Sequence, residues 1–287
     1  MSNNNYDPTA FKAQQREQWS NTAEGWRRRW ATLEKSAQPV SDRMMELAHV
    51  TPGKRVLDIA TGIGEPAMTA ARRVGPSGSV VAIDQAPQML TIARERMQAA
   101  GLQNVEFIEG DVETAALPAD SFDAVVCRWG LMFFPDVAGT LTRLRSSLVP
   151  GGWLVAIIWG PPEQVPLIWL PFSVFSREFL LPSALPAGPN PFALADPAAL
   201  EQVMRDAGFA EVQSEWLTVT YEFSSVEELL NYEEDTSPPV RSIMASLSVE
   251  RQAELWGKLA DAAMPFVGAD GIARLPNECL IVSGQRQ

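Results

Sequence analysis

Val56-Leu57-Asp58-Ile59-Ala60-Thr61-Gly62-Ile63-Gly64 reads as an apolar strand that runs into a glycine turn, and Pro66 then opens a helix. Glycines in such a turn let the backbone come close to a ligand, and the helix N-terminus presents unpaired N–H groups to it. Working outward, residues 55–59, 79–84, 105–109, 124–127 and 153–159 read as short, mostly continuous apolar strands. Stretches 66–74, 86–100 and 137–148 carry helical spacing, with Pro66 in a first turn and Gly101 as a stop. This βαβ rhythm predicts an α/β fold with a parallel, doubly wound sheet covered on both faces.

The flanks read differently. Residues 10–50 predict two or three helices, with Trp19, Trp26 and Trp30 on one stripe. Beyond 160 the rhythm breaks: 198–207 and 226–264 are helical, 211–223 alternates like a long strand, and 279–283 is a closing strand. The expected organisation is a helical lid over 1–50, a cofactor-binding core over 51–160, and substrate-side insertions plus completion of the sheet over 161–287.

Composition narrows the function. The 287 residues are 46% hydrophobic and 20% charged, as a globular chain should be. With 23 Lys and Arg against 35 Asp and Glu, the net charge of −12 repels phosphate backbones, so no nucleic-acid partner is expected. Two cysteines, Cys127 and Cys279, and a single histidine, His49, supply neither a disulfide framework nor a metal cluster. The polar start and the prolines within the greasiest stretch, 165–175, fit neither a signal peptide nor a membrane span, and a cytoplasmic monomer or homodimer is expected.

Residues 62–67 satisfy the G-x-G-x-x-A pattern, and Asp84 ends the next strand 22 residues after Gly62. The pattern alone fits a nicotinamide dinucleotide or another adenosine-containing cofactor. Charge separates them, because Asp58 and Glu65 bracket the turn. A pyrophosphate at about 4 Å from either carboxylate would be repelled by about 4 kcal/mol at an effective dielectric of 20. Acids there suit a positively charged ligand, and S-adenosylmethionine carries an ammonium and a sulfonium but no phosphate.

From 54 to 158 the chain resembles a class I S-adenosylmethionine-dependent methyltransferase. The features come in the family's order: the turn from Asp58 to Gly64, Asp84, Gly110-Asp111-Val112-Glu113, Leu117-Pro118 with Ser121-Phe122-Asp123, and Leu148-Val149-Pro150-Gly151-Gly152. The resemblance implies a seven-stranded, Rossmann-like sheet with an N-terminal helical lid, an antiparallel last strand beside the sixth, and a helical insertion before it. It implies that Asp58 lies under the methionine ammonium, usually through water, that Ala60, Thr61 and Gly62 line the methionine moiety, and that Gly64 gives the helix room. Asp84 would accept the ribose hydroxyls, with Gln85 and Met89 beside the ring, while Gly110, Asp111 and Val112 would hold adenine. Cys127 and Arg128 follow in the crevice after strand four, Arg128 near the cofactor carboxylate or the acceptor.

No catalytic residue is fixed by the sequence; Arg128 and Trp129 are the candidates. Trp19, Trp26, Trp129, Phe133, Trp169, Phe172 and Phe175 are expected to wall a small-molecule acceptor. His49 precedes strand one, at the wrong edge of the sheet for a base. The whole chain is most similar to the ubiquinone/menaquinone methyltransferases, but their Gly-x-Arg-Asn pattern falls on Met132 and Phe133 here. The reading is therefore O-methylation of a hydroxyl, phenol or enol, with C- or N-methylation next and an NAD(P)-dependent oxidoreductase as the alternative from another class.

Overall fold

A computed structural model describes residues 6–179 and 188–287. The polar start and part of the Pro-rich segment after 160 lie outside the described residues. The strands are β1 (Arg55–Ile59), β2 (Ser79–Asp84), β3 (Val105–Glu109), β4 (Phe122–Arg128), β5 (Leu148–Trp159), β6 (Ala210–Phe223) and β7 (Ala273–Gln285). They form one seven-stranded sheet in the order β3-β2-β1-β4-β5-β7-β6. The first five run parallel, and β7 inserts antiparallel to both β5 and β6. The expected doubly wound sheet with an inverted last strand is what the chain adopts.

The helices are α1 (Pro8–Leu47), α2 (Ala67–Val74), α3 (Pro87–Ala99), α4 (Val137–Ser147), α5 (Pro166–Glu178), α6 (Pro197–Asp206), α7 (Val226–Thr236), α8 (Pro238–Ala245) and α9 (Val249–Ala263). Central strands are the most apolar: Val56, Leu57, Val125, Val126, Ala156 and Ile157 have no exposed surface. Register pairs Asp58 with Ala82 and with Val126, so the loops leaving β1, β2 and β4 converge at one end of the sheet. This is the crevice in which open α/β sheets bind ligands.

Several elements differ from the sequence expectation. Strand β5 begins at Leu148 rather than 153, β4 spans 122–128 rather than 124–127, and the helical stretch 226–264 divides into α7, α8 and α9. The largest departures are at the two ends of the chain. The N-terminal region is one helix of 40 residues, not two or three, capped by Asp7, whose carboxylate accepts Thr9 and Ala10 N–H at 2.9 and 3.3 Å. Its later half lies on the sheet through Val40, Met44 and Met45, and Arg43 forks onto Glu215 of β6 at 2.7 and 2.9 Å. Strand β7 starts at Ala273, six residues before the expected 279, and pairs with β6 as far as Phe223. The extension is an alternating run, so an apolar-run reading misses it. Its one buried polar member, Asn277, is satisfied: it accepts Leu167 N–H at 2.9 Å and donates to the Leu275 and Val219 carbonyls at 2.8 and 3.2 Å. That hydrogen-bond set ties the start of α5 to the sheet.

Candidate cofactor and acceptor site

The turn after β1 is fixed from three sides. Gly62 and Gly64 take φ of 55° and 100°, and Ala60, where the family pattern has glycine, is also left-handed at 54°. Gly62 N–H donates to Asp84 Oδ2 at 2.8 Å, and Ala86 N–H donates to Oδ1 at 2.8 Å, so the acid ending β2 clasps the turn. Burial raises the Asp84 carboxyl above its ordinary range while these N–H groups pull it down. On the far side a Cβ at Gly130 would stand 2.6 Å from Ala60 Cβ, so the loop after β4 lies directly against the turn.

Asp58 is completely buried. Its Oδ2 accepts the Thr61 hydroxyl at 2.6 Å and Ala67 N–H at 2.9 Å, whereas Oδ1 is buried with no hydrogen-bond partner. Burial pushes the carboxyl up to about 7. A buried, unpartnered carboxylate oxygen is costly unless a donor meets it. An ammonium, directly or through water, is such a donor, and the residues at this turn therefore fit S-adenosylmethionine.

Glu65 departs from the sequence reading, which set it at the turn facing the ligand. Its Oε2 accepts the Thr69 hydroxyl at 2.8 Å and Thr69 N–H at 3.3 Å, and the residue lines a groove between α1, α2 and α3. The charge argument against a diphosphate therefore rests on Asp58 alone.

The β2 and β3 side of the crevice is roofed by the first half of α1. Ala23 packs with Ile63, Ala86, Met89 and Ile92, and Trp19 and Trp26 lie against that cluster. Lys12 donates to Asp111 Oδ2 at 2.7 Å and pairs with Glu113, while Asp111 Oδ1 accepts Glu113 N–H at 2.9 Å. Val112 is buried beside them, Gly110 N–H donates to the Asp84 carbonyl at 2.9 Å, and Gln85 is half-buried. Lys12 carried no motif, and its role emerges only when α1 crosses β3.

Arg128 is placed otherwise than expected. Its guanidinium forks onto Glu34 of α1 at 2.8 and 3.2 Å and donates to the Ser41 hydroxyl at 3.0 Å. It is committed to fastening α1 to β4. Glu34 was missed in the sequence, although an acid four residues after Trp30 on an apolar stripe is itself a signal for a buried partner. Cys127 is buried beneath Gly130, and burial pushes its thiol up to about 12, which suits packing.

Trp129 is left-handed at φ 56°, an outlying conformation for a bulky residue. Its ring stacks on Trp159 at 4.7 Å and 9°, and its buried indole N–H is directed at the Cys279 thiol of β7. Phe133 meets Trp19 edge-on at 5.9 Å, and Trp19 meets Trp26 at 6.0 Å, so these three expected wall residues are brought together. Trp26 is anchored by its N–H to the Thr236 carbonyl of α7 at 3.1 Å. Trp169 stacks with Phe172 at 5.0 Å on α5. Phe175 is instead 3% exposed in a separate core with Val174, Val240, Met244, Leu255 and Leu259, where it joins α5 to α8 and α9 rather than walling a ligand. Trp30 leaves the stripe and is 43% exposed. His49 meets Trp153 at 5.1 Å with the rings tilted by 53°, at the opposite edge of the sheet.

Residues 56–152 match the methyltransferase domain family. Aklanonic acid methyltransferase of Streptomyces sp. strain C5 is 36% identical over 139 residues, covering 45% of this chain and 63% of that protein. Demethylmenaquinone methyltransferase of Thermus thermophilus is 37% identical over 187 residues, covering 61% of this chain and 83% of that protein. Among solved structures, phosphoethanolamine N-methyltransferase 2 of Haemonchus contortus in complex with S-adenosyl-L-methionine aligns with a TM-score of 0.52 at 20% identity, covering 91% of this chain and 53% of that one.

Proposed function

The chain belongs to the class I S-adenosylmethionine-dependent methyltransferases, and from that premise we propose that it O-methylates a phenolic or enolic hydroxyl of a small aromatic metabolite. Family membership removes the nicotinamide-dependent oxidoreductase from consideration. The observation that carries the acceptor assignment is the Trp129 and Trp159 stack at the ends of β4 and β5, with the strained Trp129 backbone that presents it. A flat aromatic face at the strand ends suits an acceptor that is itself flat and aromatic, and a phenol or enol is such an acceptor.

S-adenosylmethionine supplies an activated methyl group. The protein's part is alignment and exclusion of water. Asp58 Oδ1 would hold the ammonium, Asp84 the ribose hydroxyls and Asp111 the adenine amine, with Lys12 releasing or sharing that carboxylate. Trp19, Trp26, Phe133 and Trp169 would close an apolar chamber around the acceptor, which favours dispersal of a cation's charge. Orientation alone can contribute about 7–11 kcal/mol, so an acceptor hydroxyl that ionises near neutral pH needs no dedicated base.

A second reading is C-methylation, favoured by the likeness to the demethylmenaquinone enzyme. Against it, Met132 is buried and Phe133 packs on Trp19, where the quinone enzymes' pattern has a polar pair. The test is transfer of labelled methyl from the cofactor to a panel of phenols, enols and demethylated quinones, with the product bond located by NMR. An O-methyl product supports the first reading and a ring C-methyl product the second. No transfer despite tight S-adenosylhomocysteine binding would overturn both.

A further inference from the structure

Away from the strand ends, α1, α2 and α3 enclose a groove of about 510 Å³, within the size range of small-molecule sites. Its walls include Trp30, Met68, Ile92, Arg72 and Arg96, and none of Asp58, Asp84 or Asp111 reaches it. Most of its charges are already used. Glu34 is held by Arg128, Glu65 by Thr69, and Arg27 by Glu24 and Glu95. Arg96 donates to the Ile63 carbonyl at 2.6 Å and lies 4.7 Å over the Trp30 ring. Arg72, in the last turn of α2, makes no ion pair among the described residues. In a chain of net charge −12, the groove thus joins an exposed indole to an uncommitted guanidinium.

We propose that this groove is a second ligand site, separate from the cofactor cradle, for a small aromatic monoanion. Its carboxylate would take the Arg72 guanidinium, and its ring would pack on Trp30 and the apolar wall of Met68 and Ile92. A guanidinium matches a carboxylate in two parallel hydrogen bonds, and the neighbouring Arg96 adds to the positive field. The site needs no acceptor and no turnover, so it stands independently of the methylation chemistry proposed above.

The test is calorimetry with 2-naphthoate as the probe, in the presence of saturating S-adenosylhomocysteine. Wild type is expected to bind one equivalent, and the neutral analogue 2-naphthalenemethanol at least tenfold more weakly. Arg72→Ala and Trp30→Ala, both at exposed positions, are each expected to weaken naphthoate at least tenfold while leaving S-adenosylhomocysteine affinity unchanged. No binding at millimolar naphthoate would overturn the proposal. So would equal affinity in wild type and both variants, which would put the probe in the acceptor chamber instead.

Discussion

Glu233 on α7 is a carboxyl in an apolar crevice, 4% exposed and walled by Pro166, Leu170, Leu229, Leu259 and Leu275. Its side chain makes no hydrogen bond or ion pair among the described residues. Burial alone pushes it up to about 8 from an ordinary 4.5. In the unfolded chain the group loses its proton near 4.5, whereas the folded chain holds it to about 8. The folded state therefore binds more protons between these values, and its stability falls as pH rises through the window. At 1.36 kcal/mol for each pH unit, the loss amounts to about 3 kcal/mol by pH 7 and about 5 kcal/mol by pH 8. Glu233→Gln abolishes the titration and adds a pH-independent cost of about 1–3 kcal/mol for a buried amide. Urea denaturation of both proteins from pH 5 to 8.5 isolates the effect, because every other titrating group cancels in the difference. The variant should start level with or below wild type at pH 5 and overtake it near neutrality. Parallel stability curves, constant to about 0.5 kcal/mol, would mean that Glu233 ionises in the folded protein and that the crevice is wet.

The Asp58 carboxyl, pushed up to about 7, must ionise to receive an ammonium, so S-adenosylhomocysteine affinity should climb by up to about tenfold per unit as pH rises toward 7 and level off above it; calorimetry checks this, and a flat profile from 5.5 to 7 would count against Asp58 as the ammonium's partner. Gly25→Ala would bring a Cβ to 1.8 Å from the Asp235 carbonyl oxygen, so α1 and α7 must separate. We expect about 1–3 kcal/mol of destabilisation by urea titration. Ala60→Gly removes a left-handed penalty of about 1–2 kcal/mol, less about 0.4–1 kcal/mol of unfolded-chain entropy, for a small net gain in stability. Gly130→Ala should lose about 1–3 kcal/mol against Ala60 Cβ, and Ala60→Gly in the same chain should restore part of it.

The most legible parts of the fold are the strands whose ends the sequence itself marks. Strands β1, β2 and β3 fall on the expected residues because glycines, prolines and polar loops end their runs abruptly. Strand β7 was half hidden, since Arg274, Pro276 and Glu278 alternate with buried neighbours and its pairing with β6 is made at long range. The acids at the turns were readable from spacing. The partners of Arg128 and Asp111 were not, because Glu34 and Lys12 belong to a helix whose path over the sheet is set by tertiary contacts. Aromatic residues were the least legible. Phe175 and Phe172 share a helix only three residues apart, yet one fills a core and the other stacks on Trp169.

The continuity of α1 has a mechanical consequence. Its rear half is cemented into the main core and bolted to β6 by Arg43, while its front half carries Lys12, Trp19 and Trp26 over the cradle. A span of about 60 Å in one rod cannot lift a single side chain's worth of roof at a time. Raising that front half from the cradle therefore means parting α1 from α7, with loss of the Trp26 bond to the Thr236 carbonyl and of the Arg28 and Arg29 ion pairs to Asp235.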